Sequence, residues 1–227
     1  MEEAPVNMQM LSLGALDTDC YLLWDDNKEA LVIDPADEAE QILACAKARG
    51  LAVRAVLLTH AHFDHMRAAA EVLRQTGAVL MLHEADAPAL SDPVKNLSAW
   101  FGCDVRGPLY AGRLLHGGDM VSVGALLLRV LHTPGHTVGS CAYYDEKNAR
   151  LFSGDTLFAG SAGRTDFPGG DPAALRESLA RLMQLPPDTA VYPGHGEMTT
   201  VGEEAAHTPF IGCHCDEIVY VRSQLPL

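Results

Sequence analysis

Basic residues are scarce in this sequence of 227 residues, which has 16 Lys and Arg against 30 Asp and Glu. The formal net charge at pH 7 is −14, and the basic side chains are scattered without a run. Nucleic acids are bound by clustered basic side chains, because these neutralise phosphate groups. The composition therefore argues against a nucleic-acid partner, and we expect a small-molecule substrate.

The sequence also lacks a long apolar stretch and a leader-like beginning. No apolar segment approaches the roughly 18 residues that a membrane-spanning helix needs. The first five residues, Met1-Glu2-Glu3-Ala4-Pro5, have neither a basic region nor an apolar core, so they do not resemble a signal peptide. We expect a cytoplasmic protein with no membrane partner, in which disulfides are rare.

One cysteine-containing segment differs from the other, dispersed cysteines. Cys213-His214-Cys215 places two thiols and an imidazole in three residues. This spacing matches no common structural zinc pattern. Metal binding and oxidation sensing both stay open for this segment.

Metal-ligating side chains are unusually dense at 60–65, where three imidazoles and a carboxylate occupy six consecutive positions. His60 and His62 are two residues apart, so on an extended segment both side chains point to the same side. Asp64 and His65 follow where a strand would turn into a helix, which directs them to a second point nearby. Neutral imidazole and carboxylate are ligands of Zn²⁺, Fe²⁺ and Mn²⁺. The pattern predicts a metal site rather than a solvated histidine-rich turn.

Three turns further along the chain each carry one more candidate ligand beside a glycine. They are Thr133-Pro134-Gly135-His136, Ser153-Gly154-Asp155-Thr156 and Pro193-Gly194-His195-Gly196. Glycine permits tight turns at strand ends and a close approach of the backbone to a metal. Among the histidines outside these turns, His132 is the best candidate for a contact with the ligands, because it lies four residues before His136.

Hydrophobic periodicity predicts strands and helices in alternating blocks. Strands are predicted at 8–13, 20–24, 30–33, 53–58, 79–82, 120–123, 125–131, 140–144, 150–152 and 190–192, and helices at 37–48, 67–75 and 172–185. Segment 91–115 is predicted to be irregular, and Trp100-Phe101 within it either wall a substrate cleft or pin the loop to the core. Strand-rich blocks each followed by a helix indicate an α/β fold, a four-layer αββα sandwich, in a single domain over residues 1–227.

The candidate ligands together resemble the signature of the metallo-β-lactamase superfamily, His-x-His-x-Asp-His followed by a single His, Asp and His. Every element is present in order. The resemblance implies two divalent cations (zinc, iron or manganese), a catalytic hydroxide that bridges them, and catalytic roles for Asp64 and Asp155. It assigns one metal to His60, His62 and His136, the other to Asp64, His65 and His195, and makes Asp155 the bridge.

Single residues narrow the resemblance within this superfamily. Antibiotic-hydrolysing members generally lack a bridging carboxylate such as Asp155, and flavin-linked diiron members carry Glu in place of His62. Residues 163–170, Gly-Arg-Thr-Asp-Phe-Pro-Gly-Gly, are similar to a loop shared by compact glyoxalase II-like proteins and persulfide dioxygenases. Within this loop we predict a buried ion pair between Arg164 and Asp166, because arginine binds local carboxylates readily.

The remaining resemblance is to the compact glyoxalase II-like branch, which implies a thioesterase acting on S-D-lactoylglutathione or a similar acylthiol. Full-length glyoxalase II enzymes add a helical domain whose basic residues hold glutathione. Here 32 residues follow His195, and Arg222 is the only basic residue among them. The candidates for substrate binding in its place are Arg164, Tyr143, Tyr144, Tyr192 and Phe210.

Two alternatives stay open. A mononuclear iron persulfide dioxygenase would bind iron through His60, His136 and Asp155. The other alternative is a hydrolase of a different ester, a lactone or a phosphodiester.

Overall fold

The computed structural model of the protein describes residues 6–103, 105 and 108–207. Phe210 and the Cys213-His214-Cys215 segment lie outside the described residues, so the interpretations given for them stay predictions. In the described part of the chain, no helix is both long and apolar enough to cross a membrane.

The first of two large sheets has six strands in sequential order. They are β1 (Asn7–Leu13), β2 (Thr18–Trp24), β3 (Glu29–Ile33), β4 (Ala52–Leu57), β5 (Val79–His83) and β6 (Arg113–Leu115). Strands β1 to β3 are antiparallel, whereas β3 to β6 run parallel. The carboxyl ends of β4 and β5 therefore lie at the same edge of this sheet.

The second large sheet also has six strands, in the order β14-β13-β10-β9-β8-β7. They are β7 (Met120–Val123), β8 (Leu126–His132), β9 (Cys141–Asp145), β10 (Arg150–Gly154), β13 (Ala190–Pro193) and β14 (Thr199–Thr200). Strands β10 and β13 are parallel and the other neighbours antiparallel. A separate hairpin is formed by β11 (Leu157–Phe158) and β12 (Ser161–Ala162).

The described residues form the helices α1 (Ala39–Ala48), α2 (Phe63–Met66), α3 (Ala69–Thr76), α4 (Ser98–Phe101), α5 (Pro172–Leu182) and α6 (Val201–His207), with a 3₁₀ helix at Glu84–Leu90. Helices α1 and α3 cover the outer face of the first sheet, and α5 covers that of the second. Helix α5 begins with Asp171 as its N-cap, whose side chain accepts hydrogen bonds from the amides of Ala173 and Ala174. Pro172 follows at the first helical position, where a missing amide hydrogen has no cost.

Three buried apolar clusters correspond to the three interfaces between four layers. Successive residues of β3 alternate between two of them, because side chains on a strand point to opposite faces. Leu31 contributes to the cluster between the two sheets, which also contains Phe152 of β10, and Val32 to the cluster under α1 and α3. Leu175 and Leu179 of α5 pack on the other face of the second sheet. The predicted αββα sandwich is thereby confirmed.

Several short elements were not predicted. Segment 91–115, expected to be irregular, contains α4 and β6, and the turn into a helix expected at Asp64 and His65 forms a separate short helix, α2, before α3. Strands β6, β11, β12 and β14 have three residues or fewer, which is too short to display a periodic pattern. The helix predicted at 172–185 ends at Leu182.

Candidate metal centre

The predicted ligands come together at one end of the two sheets. His60, His62, Asp64 and His65 follow β4, with the last two in α2. The other three follow strands of the second sheet: His136 lies after β8, Asp155 after β10 and His195 after β13. Each chain segment therefore delivers its ligand as it leaves the carboxyl end of a strand.

The first group consists of His60, His62 and His136, which are all buried. One ring nitrogen of each lies within 4.8 Å of the others. The nearest approach is 3.0 Å, between Nδ1 of His62 and Nε2 of His136. Three imidazoles this close form a compact set of nitrogen donors that fits a divalent cation.

The second group consists of Asp64, His65 and His195, whose ligand atoms also lie within 4.8 Å of one another. Oδ2 of Asp64 is 3.5 Å from Nε2 of His65 and 3.4 Å from Nε2 of His195. This group supplies one carboxylate and two imidazoles, so it carries one negative charge more than the first group.

Asp155 lies between the two groups. One carboxylate oxygen is 3.4 Å from Nε2 of His65, and the other is 3.6 Å from Nε2 of His136 and 3.7 Å from Nε2 of His195. A single carboxylate thus reaches ligands of both groups. This placement matches the bridging position that the sequence resemblance implies for it.

Unpartnered buried nitrogens show that these residues fit a metal. In the part of the chain that the structure describes, Nε2 of His60, of His62 and of His65 are buried and have no hydrogen-bond partner. Buried polar atoms almost always have partners, because leaving one unpaired costs free energy. Cations bound in the cluster would satisfy Nε2 of His60 and of His65, whose Nδ1 atoms already have partners, so the donor set fits divalent metal ions.

Electrostatics favour the metal-binding protonation state for His62 and for the two carboxylates, whereas the pKa values of His65 and His195 are raised, because the carboxylates beside them outweigh their burial. Burial and the neighbouring His136 lower the pKa of His62 to about 3, so its imidazole is neutral at physiological pH. Burial would raise the pKa of Asp64, but His65 and His195 outweigh it and the pKa falls to about 2. Asp155 likewise has a pKa well below the usual value, because His195 and His65 outweigh its burial. Neutral imidazole and ionised carboxylate are the forms that ligate a divalent cation.

Asp34, which sequence reasoning missed, positions ligands of both groups. It is buried at the end of β3, and its Oδ2 lies 2.9 Å from Nδ1 of His65. It also accepts hydrogen bonds from the amide of Thr59 at 2.7 Å and the hydroxyl of Thr59 at 2.6 Å, and that hydroxyl lies 3.1 Å from Nδ1 of His60. A carboxylate behind a ligand histidine fixes the ring and leaves Nε2 for the metal. The only sequence signal was an aspartate at a predicted strand end, before Pro35.

Asp86, also missed, joins the segments that carry the first group. Its buried carboxylate accepts hydrogen bonds from the amide of Ala61 at 3.0 Å, the hydroxyl of Thr137 at 2.8 Å and the amide of Gly139 at 2.7 Å. Ala61 lies between His60 and His62, and Thr137 follows His136. Asp86 therefore fixes the ligand segment of one sheet against that of the other.

Backbone carbonyls orient two further ligands. Nδ1 of His136 lies 2.8 Å from the carbonyl oxygen of Arg164, and Nδ1 of His195 lies 3.1 Å from that of Leu16. A ring that donates from Nδ1 presents Nε2 as the metal-binding atom. Gly194 is also required here, since a Cβ at this position would lie 2.2 Å from Oδ1 of Asp155.

The structure does not support three tyrosines as substrate-binding residues. Tyr143 is fully buried between the sheets, where its hydroxyl donates to the carbonyl of Leu58 at 2.7 Å. Tyr144 is buried in the apolar cluster under α5. Tyr192 is buried between the sheets, and its ring stacks on Phe152 at 5.3 Å. Alternation along β9 and β13 directs these rings into the core, which the sequence prediction did not consider.

The predicted ion pair of the 163–170 loop is present, but it is not buried. Nε and one terminal nitrogen of Arg164 donate to the two carboxylate oxygens of Asp166, each at 2.6 Å. The two side chains are 44% and 53% exposed. The guanidinium also lies 4.0 Å above the ring of Phe167.

His132 does not act as predicted either. Its ring stacks on His83 at a centroid distance of 3.9 Å, and its Nε2 lies 3.0 Å from the carbonyl of Val138. Val138 belongs to the same loop as His136, so His132 supports that loop through its backbone.

The sandwich fold and the His/Asp cluster together are those of a metal-dependent hydrolase. A family model described as the metallo-beta-lactamase superfamily matches residues 13–195. The chain belongs to this superfamily. Among its curated relatives is the hydroxyacylglutathione hydrolase GloC of Haemophilus influenzae, which is 32% identical over 208 residues, covering 91% of this chain and 98% of GloC.

Solved structures similar to this chain have different descriptions. A B3 metallo-beta-lactamase, BLEG-1, has a TM-score of 0.85 at 39% identity, and the match covers 91% of this chain and 100% of BLEG-1. TTHA1623 in a di-iron-bound form has a TM-score of 0.82 at 42% identity, and the match covers 89% of this chain and 100% of TTHA1623. ETHE1 from Myxococcus xanthus has a TM-score of 0.74 at 32% identity, and the match covers 89% of this chain and 83% of ETHE1.

Proposed function

We propose that the protein is a dinuclear metal-dependent thioesterase that hydrolyses S-D-lactoylglutathione or a similar acylthiol. The observation that carries this proposal is the position of Asp155 between two groups of three ligands. Two divalent cations held there would lower the pKa of a water molecule and polarise a carbonyl group. Both effects accelerate the hydrolysis of a thioester.

The chain's own carboxylates have distinct parts in this reaction. Asp155 joins the two halves of the site, because its Oδ1 lies beside His65 and its Oδ2 lies beside both His136 and His195. Asp64 accepts a hydrogen bond from the hydroxyl of Thr18 at 3.3 Å, which restrains its carboxylate. So restrained, Asp64 orients the attacking water toward the substrate carbonyl. Its low pKa keeps it ionised for that role.

The relationship to GloC supports the choice of a thioester. This chain covers 98% of GloC, so a protein named hydroxyacylglutathione hydrolase is about as short as this one. The length of this chain is therefore no argument against glutathione thioesters as substrates.

We expect hydrolysis of S-D-lactoylglutathione with a high KM and tolerance of other acylthiols. The guanidinium of Arg164 is already paired with Asp166, so a glutathione carboxylate would have to compete for it. The reacting carbonyl would meet the same metal pair in each thioester, so kcat should vary less than KM.

Steady-state assays of the metal-reconstituted protein on lactoylglutathione, an acyl-CoA, a phosphodiester and a β-lactam test this expectation. The β-lactam is included because BLEG-1 is described as a B3 metallo-beta-lactamase. Turnover of the phosphodiester or the β-lactam alone would refute the thioesterase proposal. A submicromolar KM for glutathione thioesters alone would refute the expectation that the protein binds the glutathione group weakly.

A persulfide dioxygenase is the second candidate, favoured by the similarity to ETHE1 and by the Gly163-Arg164-Thr165-Asp166-Phe167 loop. The grouping of Asp64, His65 and His195 supports the dinuclear hydrolase, because a mononuclear site would leave these three ligands without a metal. Oxygen uptake with glutathione persulfide would identify this second activity.

A further inference from the structure

An aromatic row leads from a metal-binding histidine to the protein surface. The ring of Phe167 lies 6.2 Å from that of His62, and the ring of Trp100 lies 5.9 Å from that of Phe167, both in edge-to-face geometry. Phe167 is half-buried, whereas Trp100 is 59% exposed. Phe167 and Trp100, here called the aromatic row, are therefore a continuous apolar surface that begins at the metal centre.

The aromatic row is held in place from both sides. Phe101, next to Trp100, packs against Phe63 with 5.2 Å between ring centroids, and Phe63 directly follows His62. On the other side, the guanidinium of Arg164 covers one face of Phe167 at 4.0 Å. Phe101 therefore pins the loop, whereas the neighbouring Trp100 stays exposed. A surface fixed in advance binds a ligand with less loss of conformational entropy.

The charge beside the aromatic row is already neutralised. Arg164 forms a two-point ion pair with Asp166, and this hydrogen bonding lowers the pKa of Asp166. The pair therefore stays ionised and internally balanced at physiological pH. A substrate at the aromatic row therefore contacts apolar rings and an ion pair without net charge.

We infer that the aromatic row binds an uncharged hydrocarbon group of the substrate, and that the preferred substrates are thioesters or esters with such a group. This inference rests on the proposed hydrolytic function and names its substrate class. An exposed aromatic surface gains free energy when an apolar group covers it, up to about fourfold in binding for each methylene that is fully buried. The lactoyl group is too small and too polar to gain in this way.

The kinetic test uses the metal-loaded protein and neutral thioesters of N-acetylcysteamine with acetyl, butanoyl, hexanoyl and octanoyl groups. A second series keeps the acetyl group and lengthens an alkyl thiol, which shows whether the acyl or the thiol side lies on the aromatic row. For the wild-type protein, kcat/KM should rise severalfold along one series. In Trp100→Ala and Phe167→Ala, the ratio of the longest to the shortest substrate should fall toward one.

Leu127→Ala is the matched control, because Leu127 is an equally exposed apolar residue on β8, at 53% exposure. It lies near the end of β8 away from His136, and it should leave both series unchanged. Flat series in the wild-type protein, or a chain-length ratio that Trp100→Ala does not alter, would overturn the inference. Lack of turnover of every thioester would instead refute the proposed function.

A binding measurement is independent of turnover. The chain has two tryptophans, so in Trp24→Phe the fluorescence reports Trp100 alone. Titration with an octyl thioether of N-acetylcysteamine, which has no thioester carbonyl to attack, should shift the Trp100 emission to shorter wavelength. Absence of a saturable shift, or protection of Trp100 from iodide before any ligand is added, would show that the aromatic row is not a free substrate surface.

Discussion

Replacement of Asp155 by alanine should reduce thioester turnover by several orders of magnitude and lower the amount of bound metal. Its two oxygens lie 3.4 to 3.7 Å from ligands of both groups, so both halves of the site lose a negatively charged neighbour. Two cations held close together also repel each other more strongly once the shared carboxylate is gone. Steady-state kinetics and elemental analysis of the purified variant check this result.

Two further variants make the Asp155 experiment specific. Asp155→Asn keeps the shape but removes the charge, so it should resemble Asp155→Ala in activity. Asp188→Ala removes an exposed aspartate and should behave as wild type. Near-normal turnover of Asp155→Ala with two metals still bound would show that the bridge is not needed.

Asp34→Ala should lower the free energy of unfolding by about 3 kcal/mol or more, because it leaves buried donors without an acceptor. The affected groups are the amide and hydroxyl of Thr59 and the ring of His65. Metal affinity should also fall, by about 10- to 100-fold, since the ring of His65 is no longer fixed. Denaturant unfolding of the apoprotein and competition for metal with a chelator measure the two effects separately.

Asp34→Asn is the informative companion to this variant. An amide can still accept from Thr59, so the loss of stability should be smaller than in Asp34→Ala. The loss of metal affinity should largely remain, because a neutral amide makes His65 a weaker ligand. Equal metal affinity in Asp34→Asn and the wild type would contradict the assigned role.

The ligand cluster could be predicted from the sequence because its chemistry depends on local spacing. His60 and His62 are two residues apart, so on an extended segment they point to the same side, and Asp64 and His65 fall in the first turn of a helix. The single ligands His136 and His195 were recognisable because each follows a glycine at the end of a predicted strand. Local patterns of this kind survive in the sequence whatever the surrounding packing.

The residues behind the ligands were not predictable in the same way. Asp34 lies 31 positions before His65, and Asp86 lies 25 positions after Ala61, so only the tertiary fold brings them into contact. The prediction that three tyrosines bind the substrate was wrong for a related reason. Tyr143 was assigned to the cleft by residue type, whereas the register of β9 places it in the core.

Metal content measured by elemental analysis after reconstitution tests the central claim most directly. We expect two divalent ions per chain, as zinc, iron or manganese, because mixed nitrogen and oxygen donors do not select sharply among these metals. The ion count should rise to two as metal is added to apoprotein, together with thioesterase activity. A count that never exceeds one ion per chain, under any of the three metals, would contradict the dinuclear centre.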